Sequence, residues 1–439
     1  MSARIAVAAL LGVFSLIAAG QQAVAAPSET KRVVLTHHSG ATAAAQKRVK
    51  APHPYAGSHK RRAAPRGLAA ASRLSTTSEQ SYGSGADAVT LAADEPFGLD
   101  ECRDQYYDHT DGVEDTWWIK NHFLACAIDE WSVDTLQKID GKWQTVGQIF
   151  FRVTGVVEGS KGTRQLVHHY EFDHWDEWGL ADWAASLDFD ADCAFATGAR
   201  CPDVNQHGRR DTVLDFRHTG KTDLTVDLNN NTVGTGPDKL IYYEFTPELF
   251  LTAYPTEPEI VLSTLDVRCD WATYEHNGGC IFNNVRAHWE GLSLSNPDVD
   301  EAAKHVNDAF TDISRTKPGV PGTYVPGNFN SNDKLQRGAA LTRARDADFK
   351  KANYNASVKA CKAAYGSGYT DGATKDCDEY PMQSTHQGTA TVNLEVNPRS
   401  FSVRPIDKYD NRRAGARLGV WYQDDHILEG DAFWINIKP

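Results

Sequence analysis

Eight cysteines fall along this chain as four near neighbours: Cys102 with Cys126, Cys193 with Cys201, Cys269 with Cys280, and Cys361 with Cys377. Their even number, with no Cys-x-x-Cys spacing, argues for disulfides made in an oxidising compartment rather than for zinc. Eight cysteines allow on the order of a hundred connectivities, and the small entropy cost of closing short loops favours the local pairing. The amino terminus agrees with export. Arg4 precedes an apolar run from Ile5 to Ala19, and Ala23-Val24-Ala25 supplies the small-x-small pattern of a cleavage site. Residues 1–25 therefore read as a signal peptide. No later stretch is apolar enough to span a bilayer, so the expected product is secreted, extracellular and free of membrane contact.

Charge divides the chain more sharply than its net value of −13 suggests. Residues 27–75 hold ten Lys/Arg and one Glu, residues 76–332 hold 18 basic and 43 acidic side chains, and residues 333–439 hold 16 and 14. Such asymmetry suggests separate units with separate partners. Residues 26–95, poor in large apolar side chains, read as a disordered basic pro-segment or linker that cannot bury enough surface to offset its ordering entropy. Its charge suits anionic polymers such as nucleic acid or wall polymers.

From residue 96 the texture changes. Runs such as "TVGQIFFRVTGVVEG", "TRQLVHHYEFDHW", "DTVLDFRHTG", "TDLTVDLNNNTVG" and "KLIYYEFTPELFLTAY" alternate with turn residues, the pattern of an antiparallel sandwich or barrel. Residues 96–315 read as an acidic all-β domain ending in a helix, on which Val299, Ala302, Val306, Ala309, Phe310 and Ile313 line one face. Residues 316–333 are a Pro/Gly linker. Residues 334–439 read as a small α+β domain, with a long helix ending at Gly366, short strands and a second helix through "NRRAGARLGVWYQ". The fold class is thus multidomain, all-β followed by α+β.

Chemistry-bearing residues gather in the last unit. In "DCDEYP", Asp378 and Glu379 are adjacent carboxylates, suited to binding a hard divalent cation or to general-base work. A Cys361–Cys377 bridge would tie this loop to the preceding helix. Asp410 or Asn411 is well typed as an N-cap, and a helix start beside Arg412, Arg413 and Arg417, with Arg404 from a strand, makes a phosphate site. His386 is a candidate general base. Carboxylates plus a basic helix terminus are what metal-assisted phosphodiester cleavage needs. Elsewhere, His169, Glu171 and Asp173 read as a polar strand face, and "DVNQHG" lacks the acidic residue that a calcium loop requires.

"CDEYP…ST.QG" followed by "FSVRP…DN..AG..LG…Y…..L.GD.F…I" resembles the NucA/NucB family of secreted bacterial deoxyribonucleases over roughly Ala352–Pro439. The resemblance implies a metal-dependent, largely sequence-nonspecific DNA endonuclease using Mg²⁺ or Mn²⁺. By position it assigns Asp378, Glu379 and Asn411 to catalysis and metal binding, and Arg404 and Arg412 to the backbone of DNA. Family members commonly carry Glu-Gly-Gly where this chain has Gln387-Gly388-Thr389, and Gln387 offers only a neutral oxygen. Two functions follow: an extracellular nuclease whose acidic β-domain targets, shields or regulates it, or a surface protein whose Trp-rich β-domain binds carbohydrate, cell wall or protein and carries an inactive nuclease-like tail.

Overall fold

In the computed structural model, which describes residues 30–38, 81–84, 98–109, 117–195, 201, 208–229, 234–252, 259–275, 277–331, 339–393 and 399–439, strands dominate. The first elements are β1 (Lys31–His38), β2 (Ser81–Ser84), α1 (Leu99–His109), β3 (Trp118–Asn121), β4 (Leu124–Ile139), β5 (Lys142–Glu158), β6 (Ser160–Lys161) and β7 (Gln165–Gly179). Then come β8 (Ser186–Phe195), β9 (Arg209–Thr212), α2 (Val213–Thr219), β10 (Lys221–Asp227), β11 (Ile241–Leu251), β12 (Glu259–Ile260), β13 (Leu265–Asp270) and β14 (Gly279–Ile281). The remainder are β15 (Arg286–Ser293), α3 (Asp300–Thr311), β16 (Leu341–Thr342), α4 (Ala347–Tyr365), β17 (Lys375–Tyr380), β18 (Ser402–Asp407), α5 (Lys408–Asp424) and β19 (Ala432–Lys438). The signal-peptide reading lies outside the described residues.

Two antiparallel sheets form the acidic body. One has the order β1-β4-β5-β7-β10, with β3 beside β4; the other runs β6-β14-β13-β11-β8-β9, with β12 beside β11. Local chemistry sets the long hairpin. Asp140 and Gly141, at φ 49° and 78°, join β4 to β5 as a two-residue loop whose twist matches that of the flanking strands. Inward-facing aromatic side chains close the space between the sheets. His168 and Phe172 of β7 meet Phe245 of β11 and Phe189 of β8, with ring centroids 3.7 and 5.2 Å apart. The four disulfides are Cys102–Cys126, Cys193–Cys201, Cys269–Cys280 and Cys361–Cys377, three in this body and one beyond it.

Three expectations are corrected by the packing. First, Lys31–His38, inside the stretch read as disordered, pairs along its whole length with β4 and buries Val33. The composition of a seventy-residue window hides an eight-residue β-branched run that can complete a sheet edge. Second, "DTVLDFRHTG", read as a strand, becomes helix α2 after Thr212. The Thr212 side chain accepts from the Asp215 amide, Gly220 closes the helix in a left-handed conformation, and these caps override the β-branched start. Third, α3 does not end the β-body. Its Ala302, Ala303, Val306 and Phe310 form one apolar cluster with Trp289, Tyr380, Ile406, Leu418, Trp421 and Phe433. β15 likewise joins β19 in a parallel pair, within a sheet of order β16-β19-β15-β2. Residues on both sides of the expected 316–333 linker therefore share one core.

Candidate active site

β17 and β18 form a two-stranded antiparallel sheet clasped between helices, with Asp378 opposite Arg404, Glu379 opposite Val403 and Tyr380 opposite Ser402. "DCDEYP" is thus a strand rather than a loop, and alternation decides what its carboxylates can do. Asp376, Asp378 and Tyr380 face α3 and α5: Tyr380 stands edge-on to Phe310 with centroids 5.1 Å apart. Cys377 faces the other way, toward α4, where it bonds Cys361 and packs with Val403. Glu379 shares the Cys377 side. The two carboxylates expected to chelate one ion together point to opposite faces.

Asp378 is buried and engaged. Its Oδ2 lies 2.6 Å from His305 Nδ1, and His305 Nε2 lies 2.5 Å from Ser402 Oγ. With Nδ1–H donating to the carboxylate, Nε2 is left to accept from the serine hydroxyl. The order Ser–His–Asp resembles that of a nucleophilic triad, but Ser402 and His305 are both fully buried, so the hydroxyl cannot meet a substrate. The chain instead fixes the orientation of Asp378 from the interior. Sequence reasoning missed His305, although a signal existed: a histidine stands within the apolar stripe of α3, beside Ala302, Val306 and Ala309.

Glu379 has the opposite setting. Burial, and then the neighbouring Asp378 charge, push its carboxyl from the ordinary glutamate range up to about 8, and only the Gln383 amide opposes the shift. No basic side chain pairs with it among the described residues. Asn411 sits in the first turn of α5, half-buried, and makes no side-chain hydrogen bond among the described residues. Neither Asp410 nor Asn411 is the cap of that helix. Asp407 caps α5 by accepting from the Tyr409 and Asp410 amides. Buried Asp410 instead accepts from the Glu301 and Ala302 amides, at 2.9 and 3.0 Å, capping α3 across the core.

Each arginine expected to hold phosphate faces a carboxylate. Arg404 lies 2.8 Å from Asp308, Arg412 lies 2.9 Å from Asp376, and Arg413 and Arg417 lie 2.5 and 3.6 Å from Asp298. His386 is drawn elsewhere, its Nε2 being 2.6 Å from Glu429. Gln387 is consumed by β16: its Oε1 accepts from the Thr342 amide at 2.9 Å, and its Nε2 donates to Thr342 Oγ1 at 3.0 Å. Gly388 lets the loop lie against Asn353, since a Cβ there would come 2.3 Å from the Asn353 side-chain nitrogen. Among the described residues no three His, Cys, Asp or Glu side chains converge as a metal-binding group.

No curated protein and no solved structure matches the chain. The carboxyl-terminal region, residues 328–436, which carries β17, β18, α5, Asp378, Glu379 and Asn411, matches the family model Deoxyribonuclease NucA/NucB.

Proposed function

We propose that this protein is an exported endonuclease that hydrolyses DNA phosphodiester bonds with little sequence selectivity and requires Mg²⁺ or Mn²⁺. The family match over residues 328–436, a stretch that contains Asp378, Glu379 and Asn411, carries this reading. Four disulfides support an oxidising, extracellular setting. Within it, the β-body and the carboxyl-terminal region are two units, the acidic one targeting or regulating the other.

The donor chemistry fits a cation held by one carboxylate, and it does not fit one ion shared by Asp378 and Glu379. Glu379 is the residue that would hold the ion. Burial opposes its ionisation, so a neighbouring cation lowers its free energy more than that of an exposed carboxylate. Mg²⁺ commonly keeps several waters and takes only one or two carboxylates. When bound, such an ion polarises a phosphoryl oxygen or activates water. Asp378, fixed by His305 on the opposite strand face, positions the strand that carries Glu379, and Arg404 stands cross-strand from Asp378 on that same face.

Gln387 favours the alternative reading, a binding protein with an inactive tail, because its amide is spent on β16. Plasmid digestion by the full mature chain separates the two. Nicking and linearisation with Mg²⁺ or Mn²⁺ that EDTA abolishes is the expected result. Folded protein that leaves the plasmid intact with either ion overturns the nuclease reading.

A further inference from the structure

Positive charge without a partner lies away from the arginines discussed above. α4 carries four lysines against one aspartate. At about 100° per residue, Lys351, Asn355, Lys359 and Lys362 fall on the side opposite Asn353, Ser357 and Cys361, which α4 buries against β17 and the loop of residues 383–390, and Tyr354 and Tyr365 flank that exposed side. Lys351, Lys359 and Lys362 are exposed and make no ion pair among the described residues. Tyr354 is 50% exposed and Tyr365 39%, both large for aromatic side chains on a packed helix.

We propose that this exposed face of α4 is a docking surface for duplex DNA, with the three lysines meeting phosphates and the two tyrosines meeting the sugar–phosphate edge. Charge complementarity selects the occupant, and the nuclease reading identifies the polyanion as DNA; the proposal rests on that reading for this step. From Lys351 to Lys362 the helix rises about 16 Å, long enough to follow several phosphates. The Cys361–Cys377 bridge fastens α4 to the strand that bears Asp378 and Glu379, so a backbone held on α4 keeps a fixed relation to that strand. The strongly acidic body repels DNA elsewhere and orients its approach. Arg412 and Arg413 must first release Asp376 and Asp298, whereas the lysines of α4 are free to exchange counterions for phosphates.

The test is anisotropy of a labelled 30-base-pair duplex in EDTA, read against NaCl concentration, for the full chain and a Lys351→Ala/Lys359→Ala/Lys362→Ala variant. Losing three phosphate contacts lowers the slope of log K against log salt by about 2 to 3. A Lys→Arg triple variant keeps the wild-type slope, and an Arg412→Ala/Arg413→Ala variant loses less than the lysine triple. An unchanged slope in the alanine triple overturns the surface, as does tighter wild-type binding to a polyglycerol phosphate than to the duplex. Plasmid cleavage by the wild type with an unchanged slope sinks the surface and spares the nuclease. A lowered slope in a chain that never cleaves keeps the surface and sinks the nuclease.

Discussion

Two adjacent carboxylates of one tetrapeptide end in different environments because a strand turns successive side chains apart. Asp378 meets His305 inside the core, while Glu379 meets burial without a countercharge. Glu379 therefore carries a pH signature. Its folded carboxyl holds a proton up to about 8, whereas the unfolded chain releases it near the ordinary 4.5. Between those values the unfolded state binds fewer protons, so stability is present at low pH and falls as pH rises. In EDTA, Glu379→Gln should gain stability over wild type by up to about 4 kcal/mol at pH 8 and by less than about 1 kcal/mol at pH 5. Thermal melts at the two pH values check this; equal differences at both would contradict it. The sequence supplied Asp378 and Glu379 through their motif, but their separation follows only once "DCDEYP" is known to be extended. His305 was harder to find, because its partner lies 73 residues away and no local pattern links them.

At the scale of elements, legibility follows periodicity. α3, α4 and α5 show helical spacing and form as helices, whereas α2 is decided by two caps that a β-branched run conceals. Which element packs on which was not legible, since an apolar stripe states that it is buried and not against what. Asp410 illustrates the gap. It reads as the start of its own helix, yet it holds the amino terminus of α3. Asp410→Ala should cost about 1–2 kcal/mol by uncapping α3, and it should lower the melting temperature by several degrees. Asp410→Asn keeps an acceptor and should recover most of the loss. Equal destabilisation by both substitutions would show that the cap is not the cause.

The whole molecule is joined more tightly than a linker-separated pair of units. Arg268 of β13 lies 2.7 Å from Asp431, Arg343 lies 2.5 Å from Glu275, and fully buried His426 lies 2.6 Å from fully buried Asp270. β15 and α3, both outside the matched residues 328–436, supply Trp289, Val306 and Phe310 to the carboxyl-terminal core and His305 to the site. A fragment beginning at residue 328 should therefore lack cooperative unfolding and nuclease activity, whereas one retaining β15 and α3 should recover more of both. Calorimetry with a plasmid assay checks this, and a folded, active short fragment would contradict it. The division of labour between the two carboxylates is tested most directly by initial plasmid-cleavage rates across a Mn²⁺ titration for wild type, Asp378→Asn and Glu379→Gln. Glu379→Gln should raise the half-saturating Mn²⁺ concentration at least about tenfold, the scale of one lost charged donor, while Asp378→Asn should lower the maximal rate at an unchanged half-saturation. A Glu379→Gln protein with wild-type Mn²⁺ dependence would contradict it.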